Sequence, residues 1–444
     1  MKMARVLCAL ALFAGLTTLL MEGSEARAES DQDRGDRSSD QAVNPVVQWN
    51  KNLLVIVRTR GAQPPTVHAT RSFAIMHAAI YDAVNVIDRS HKPYLIRLAR
   101  PQRDASLEAA ADAAAHEVLV ALYPAFKATL DAELQQSLAQ IPDGQDKAVG
   151  IDIGQTVADQ ILALRSTDGA NSNPIPYDFG NAPGDYQSTP PNFPPQPQFT
   201  HWSHVTPFAL EHANQFRPGP PPALISDSYS DAFNQVKSLG MFDSTTATAD
   251  EMLIGQFWNG AIQNYWNEIT QTASVAHGLT TAESARLFAL LNLSLADSVI
   301  AFYDAKYTYN FWRPVTAIRA ADTDNNPETV VDTTWLPEGG KNTAPDPSYP
   351  GAHATISAAG AEVLDSFFKR DDFDLNVTSE VLPGVERSFT SFSAAFDEAS
   401  FSRVLAGQHF SFDENAGGRL GREVANFVVD NFLTSREREG EDDR

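Results

Sequence analysis

The sequence predicts an all-α fold, most simply packed helical bundles, and three observations carry that reading. Apolar residues recur at three- and four-residue spacing through most of the chain, as on helix faces. No run of useful length alternates apolar with polar residues, as a half-buried strand would. Hydrophobic residues make up 43% of the 444 positions, enough for a large core and too many for disorder.

Taken in order, the chain opens with a segment that is not fold. Lys2 and Arg5 precede the apolar run Val6–Leu20, and Ala26-Arg27-Ala28 is a small-x-small cleavage signal. Residues 1–28 therefore read as a secretory signal peptide and the protein as exported, periplasmic or extracellular. Cys8, the one cysteine, lies in that segment, so the mature chain has no disulfide or thiolate chemistry. Residues 29–44 form a polar leader and 45–240 an N-terminal helical half. In "TRSFAIMHAAIYDAVNVI", Phe73, Met76, His77, Ile80 and Val84 share a helix face, and alanine-rich helical segments follow at 105–140 and 148–165. Between 174 and 222 the periodicity stops and 13 of the 27 prolines gather, marking a long irregular excursion, either an active-site wall or a surface wrap. The pattern resumes with a helix predicted at 228–239, and in a C-terminal half, 241–435, helices are predicted at 247–273, 282–311, 352–368, 385–401 and 413–433, before a charged tail, 436–444. No stretch after the signal reads as long enough to span a membrane.

The formal net charge is −23, which argues against nucleic-acid and anionic-membrane partners. Against that background "KYTYNFWRP" sets Lys306 and Arg313 among rings. On one helix, residues seven apart return to nearly the same face, with Pro314 ending it. A solvated cationic stripe is the bland alternative; the flanking Tyr309, Phe311 and Trp312 favour burial. In "YPGAHATISAAG", Pro350 and Gly351 precede an apolar-periodic helix, so the N–H groups of Gly351 and Ala352 stand at a helix N-terminus, where an anion is favoured, with His353 on the first turn. In "SRVLAGQHFSFDENAG", Arg403 adds a cation, and His409 and Asp413, four apart, share a helix face. An aspartate on one imidazole nitrogen fixes the tautomer and leaves the other nitrogen as ligand or nucleophile. Three cations, two histidines and one carboxylate suit a tetrahedral or trigonal-bipyramidal oxyanion rather than a divalent cation.

These segments resemble the signature of the vanadium haloperoxidase and type-2 phosphatidic acid phosphatase superfamily, K-x6-R-P, then P-S-G-H, then S-R-x5-H-x3-D. Lys306, Arg313 and Pro314 match the first part, Pro350-Gly351-Ala352-His353 the second with serine and glycine replaced, and Ser402, Arg403, His409 and Asp413 the third. "FWRPVTAIR", "YPGAHAT" and "SRVLAGQHFSFD" look like the chloroperoxidase-type, bacterial branch. The resemblance implies two helical bundles with the site in the C-terminal one. It implies that Lys306, Arg313 and Arg403, with backbone at Gly351 and Ala352, bind vanadate oxygens. It implies that His409 coordinates the vanadium, oriented by Asp413, and that His353 is the acid–base. Hydrogen peroxide and halide would be the substrates, with small organic acceptors downstream; the oligomeric state is open. Two readings from other classes stay beside it: an acid phosphatase working through a phosphohistidine on His409, and a non-catalytic oxyanion binder. Gly351 removes a serine hydroxyl from the family pattern, so Gly351→Ser is expected to tighten anion binding. Trp258-Asn259-Gly260 resembles a family segment with an aspartate beside the acid–base histidine, and Asn259 would support His353 less as an imidazolium. His77, Asp82, Asp297 and Asp304 read as core polar groups. His201, His204 and His212 match no trusted metal spacing.

Overall fold

A computed structural model describes residues 44–98, 104–339 and 342–436. The stretch read as a signal peptide, nearly all of the stretch read as a leader, and the tail beyond Arg436 lie outside them. Helices dominate: α1 Pro45–Arg58, α2 Ala69–Asp88, α3 Leu107–Leu122, α4 Lys127–Leu138, α5 Gln145–Arg165, α6 Asp227–Leu239, α7 Ala249–Phe257, α8 Ile262–Ala276, α9 Thr281–Tyr309 and α10 Pro314–Arg319. Then come α11 Ala352–Phe368, strands β1 Asp372–Thr378 and β2 Glu386–Ser391, α12 Phe392–Leu405 and α13 Ser411–Asn431.

Local chemistry sets many of the boundaries. Thr248 and Thr280 begin α7 and α9 with capping boxes closed by Glu251 and Glu283. Asn310 ends α9 in a left-handed conformation at φ 49°. The predicted 247–273 helix is two, broken at Trp258–Ala261, and the predicted 385–401 helix begins as β2. β1 and β2 form an antiparallel hairpin, Leu375 facing Phe389 and Val377 facing Arg387. Phe373, Leu375 and Val377 of β1 and Phe389 of β2 face the core; the alternation in β1 is clean but only seven residues long, and β2 has a single apolar residue.

α9 is the central element. It is long and apolar enough to cross a membrane, contrary to the sequence expectation, yet 94% of its apolar window is buried inside the protein. It is therefore a core helix, packed by α2, α11 and α13. One large apolar core runs from Val46 through α2, α3, α8, α9 and α11 to Val428. A smaller, ring-rich core joins Tyr229, Phe233, Phe311, Trp312, Tyr349, Phe410 and Phe412.

The buried polar groups of the framework serve as pegs. Asp82 accepts the N–H groups of Tyr94, Leu95 and Ile96, and Asp297 those of Phe208, Ala209 and Leu210. His77 stacks on Phe288 and its Nε2 meets Asn50 Oδ1 at 2.9 Å. Arg217 pairs with Asp304. In the irregular excursion, buried His201 bonds Ala170 O at 3.2 Å.

The N-termini of α11 and α13 are held together by glycine. A Cβ on Gly421 would overlap the Thr355 carbonyl, standing 2.9 Å from its carbon, and one on Gly417 would overlap Gly351 O. Gly421→Val should lower stability by about 3 kcal/mol, an overpacking cost, as read by urea denaturation.

Candidate active site

Lys306 leaves the last turn of α9 and is fully buried; its Nζ donates to the carbonyls of Pro347 and, at 3.0 Å, Ser348, and lies 3.2 Å from Asp346 Oδ1. Arg313 does not share its helix. Asn310 has already ended α9, Phe311 and Trp312 follow outside any helix, and Pro314 opens α10 instead of closing α9, with Arg313 as the extended residue before it. The two cations converge nonetheless, because both reach Asp346. Arg313 Nε donates to Asp346 O at 2.8 Å, Nη2 pairs with Asp346 Oδ1, and Nη1 reaches Gln408 O at 3.0 Å and His409 Nε2 at 2.9 Å. Gln198, from the proline-rich excursion, donates to the other Asp346 oxygen at 2.8 Å, so that segment packs against the site.

His409 stands just before α13, not on it. Asp413, on the first turn of α13, turns back to accept from Phe410 N–H at 3.0 Å and from His409 Nδ1 at 3.1 Å. The pair thus meets through helix-capping geometry rather than along a shared helix face. Ser348 Oγ donates to the same Asp413 oxygen at 2.5 Å. With Nδ1–H given to Asp413, the His409 Nε2 lone pair accepts from Arg313. Burial first, then Arg313, Lys306, Arg403 and His353, drive the imidazole pKa well below its ordinary value, so His409 is neutral at pH 7. Burial pushes Asp413 up to about 6, and the Ser348 and Phe410 hydrogen bonds pull against it. Burial lowers Lys306 to about 8, with Asp346 opposing. At Asp346 burial acts upward, but Lys306 and Arg313 outweigh it and hold the carboxylate below its usual range.

Arg403, at the end of α12, faces the same place. Its Nη1 donates to Asn259 Oδ1 at 3.2 Å, and its buried Nε has no partner among the described residues. His353 Nε2 meets Trp258 O at 3.0 Å, so its support is a backbone carbonyl, and Asn259 serves Arg403 instead. Burial, then Arg403, hold His353 well below its ordinary pKa.

Two expectations at the α11 N-terminus need correction. The Gly351 N–H donates to Asp413 O at 2.9 Å and is not free for an anion, which leaves Ala352 at the first turn. Nor does Gly351 leave an open space: a Cβ there would overlap the Glu414 carboxyl, its carbon 2.6 Å away. Gly351→Ser alone should therefore disturb the site rather than tighten it.

The structure thus brings Lys306, Arg313, Arg403, His353, His409 and Asp413 to one buried locus. Asp346, Ser348 and Glu414 belong to it too, unsignalled by their own spacing in sequence. Ser348 and Asp346 do lie in the "PDPSYPG" run before the second motif, a rigid turn that aims their side chains and carbonyls.

Comparison with known proteins agrees with the helical fold. Residues 286–437 match the model of the VCPO second helical-bundle domain. Vanadium chloroperoxidase of Curvularia inaequalis is 24% identical over 86% of this chain and 81% of its own. Among solved structures, the first bacterial vanadium-dependent iodoperoxidase superposes with a TM-score of 0.73 at 26% identity, over 88% of this chain and 96% of that one. The apo-type bacterial vanadium-dependent chloroperoxidase, at 14% identity, shares the fold with a TM-score of 0.64 over 84% and 95%. In the fold of its helices and in its matched second bundle, the chain is similar to the vanadium haloperoxidases.

Proposed function

We propose that this protein is a vanadate-dependent haloperoxidase that uses hydrogen peroxide to oxidise a halide to hypohalous acid. The observation that carries the reading is His409: neutral, fixed by Asp413 through Nδ1, and presenting Nε2 among three buried cations. The chemistry of the donor set fits an oxyanion. Arg403 Nε is buried and unpartnered among the described residues, and Arg313 Nη1 lies within reach of the His409 nitrogen. Lys306, Arg313, Arg403 and the Ala352 N–H would hold vanadate oxygens, and His409 Nε2 would face the vanadium. Bound vanadate supplies a Lewis acid that activates peroxide without changing its own oxidation state.

The chain's own residues do the rest. Asp413 keeps the His409 proton on Nδ1, so the inward nitrogen stays a lone-pair donor. His353, its Nε2–H given to Trp258 O, offers Nδ1 as a proton acceptor, and its depressed pKa makes it a base that readily surrenders the proton again. Lys306 contributes positive charge where negative charge develops. The rings of Phe311, Trp312 and Phe410 beside the cations limit water. The names of the relatives, chloroperoxidase and iodoperoxidase, support halide as the substrate class. We further propose that the protein is exported, on the strength of its first 28 residues.

The test is paired. Vanadate, peroxide, bromide and a phenol-red acceptor should give vanadate-dependent bromination, and p-nitrophenyl phosphate should give no turnover. Phosphatase activity inhibited by vanadate would support the phosphohistidine enzyme, and anion binding with neither activity a non-catalytic binder. A pH series adds a signed expectation. Lys306 titrates near 8, so anion affinity should hold below that pH and fall above it as the ammonium loses its proton, measured by vanadate titration from pH 6 to 10.

A further inference from the structure

Glu414 has no part in the mechanism above, yet it is placed as if it had one. It lies on the first turn of α13, where an acid ordinarily faces solvent and complements the helix dipole. Here it is 4% exposed, and neither carboxyl oxygen has a hydrogen-bond partner among the described residues. Acids are almost never buried without partners. Its surroundings are those of the anion cage: Oε1 lies 3.7 Å from His409 Nδ1, and Arg403, Asp413, Lys306 and Arg313 all act on it.

Its position coincides with a change elsewhere. The family pattern places a serine side chain at 351, and this chain has glycine. The space a side chain at 351 would enter is filled by the Glu414 carboxyl, with its carbon 2.6 Å and Oε2 2.9 Å from where a Cβ would stand. A glycine at 351 is thus what allows a glutamate at 414 to reach the same point. Two residues 63 positions apart exchange one polar group for another at a single place.

Resting on the oxyanion-cage reading, we propose that Glu414 replaces the missing serine: its carboxylic acid group donates a hydrogen bond to the bound oxyanion. A carboxyl that is buried, beside Asp413 and without a donor aimed at it, suits the acid form. As the acid it has an O–H to give, as serine has.

The test is vanadate binding to the full-length chain, by calorimetric titration at one pH and salt concentration. Glu414→Gln keeps a donor of the same length and should bind within about threefold of wild type. Glu414→Ala should lose about 10- to 100-fold, the worth of one hydrogen bond to a charged group. Glu414→Ala with Gly351→Ser restores the family arrangement and should regain about tenfold or more over Glu414→Ala. Thermal melts of each variant separate lost folding from lost affinity, and the glutamine variant serves if the alanine one does not fold. Glu414→Ala binding as tightly as wild type would overturn the proposal, since the carboxyl would then be packing alone. So would Glu414→Gln binding more than about tenfold tighter, since the group would then be a repelling carboxylate. A wild-type chain that binds no vanadate would instead overturn the haloperoxidase reading on which the proposal rests.

Discussion

His409→Ala should lower vanadate-dependent halide oxidation by about a thousandfold or more, the scale of losing a principal contact to the charge that develops in the reaction. The substitution removes the one nitrogen that faces inward among Lys306, Arg313 and Arg403. Asp413 keeps its Ser348 and Phe410 donors, so the local backbone has reason to stay in place. The loss should therefore appear in activity and in vanadate affinity together, with a modest change in thermal midpoint. Asp413→Asn should act through His409 instead, by about 10- to 100-fold, because an amide no longer dictates which imidazole nitrogen carries the proton. Retained vanadate-dependent activity in His409→Ala would remove that residue from its role.

Arg313→Ala should be costly twice. Its guanidinium holds Asp346 through backbone and side chain, Gln408 O and His409 at once, and it is 1% exposed. Breaking a buried pair by deleting one partner costs about 3–5 kcal/mol, and the Asp346 carboxylate would be left with Lys306 and Gln198 alone. Anion affinity should fall by about 100-fold or more, since a charge-assisted contact and the orientation of His409 go together. Arg313→Lys should recover part of the stability and little of the affinity, because an ammonium cannot serve three partners in a planar fork. Urea denaturation and vanadate titration of both variants read the two effects separately.

How much of this was legible in sequence differs from residue to residue. The helices were legible because their apolar faces are wide and their caps strong: α11 begins and ends where the periodicity puts it, at Ala352 and Phe368. The β1–β2 hairpin was legible only in β1, where Phe373, Leu375 and Val377 alternate with polar residues over a short run; β2, ERSFTS, carries a single apolar residue, Phe389. The site residues were legible by type and order, but their geometry was not. Lys306 and Arg313 were placed on one helix face, whereas Asn310 breaks the helix between them and Asp346 draws them together. His409 and Asp413 were placed on one helix, whereas a cap joins them. The Gly351 N–H was assigned to the anion, yet Asp413 O claims it, a contact across 62 residues that no local pattern announces. Asp346 and Glu414 escaped for the same reason. An acid reads as solvated until its neighbours in space are known, and those neighbours come from α9, α12, the proline-rich excursion and the residues just before α10, α11 and α13.

The central claim is that Lys306, Arg313, Arg403 and His409 enclose one oxyanion and turn it to halide oxidation. Titrating the full-length protein with orthovanadate while following bromination by peroxide tests it most directly. Activity that rises with vanadate and saturates at one equivalent per chain is the predicted result. Saturable binding that yields only phosphate-ester hydrolysis, or no binding at all, would contradict it.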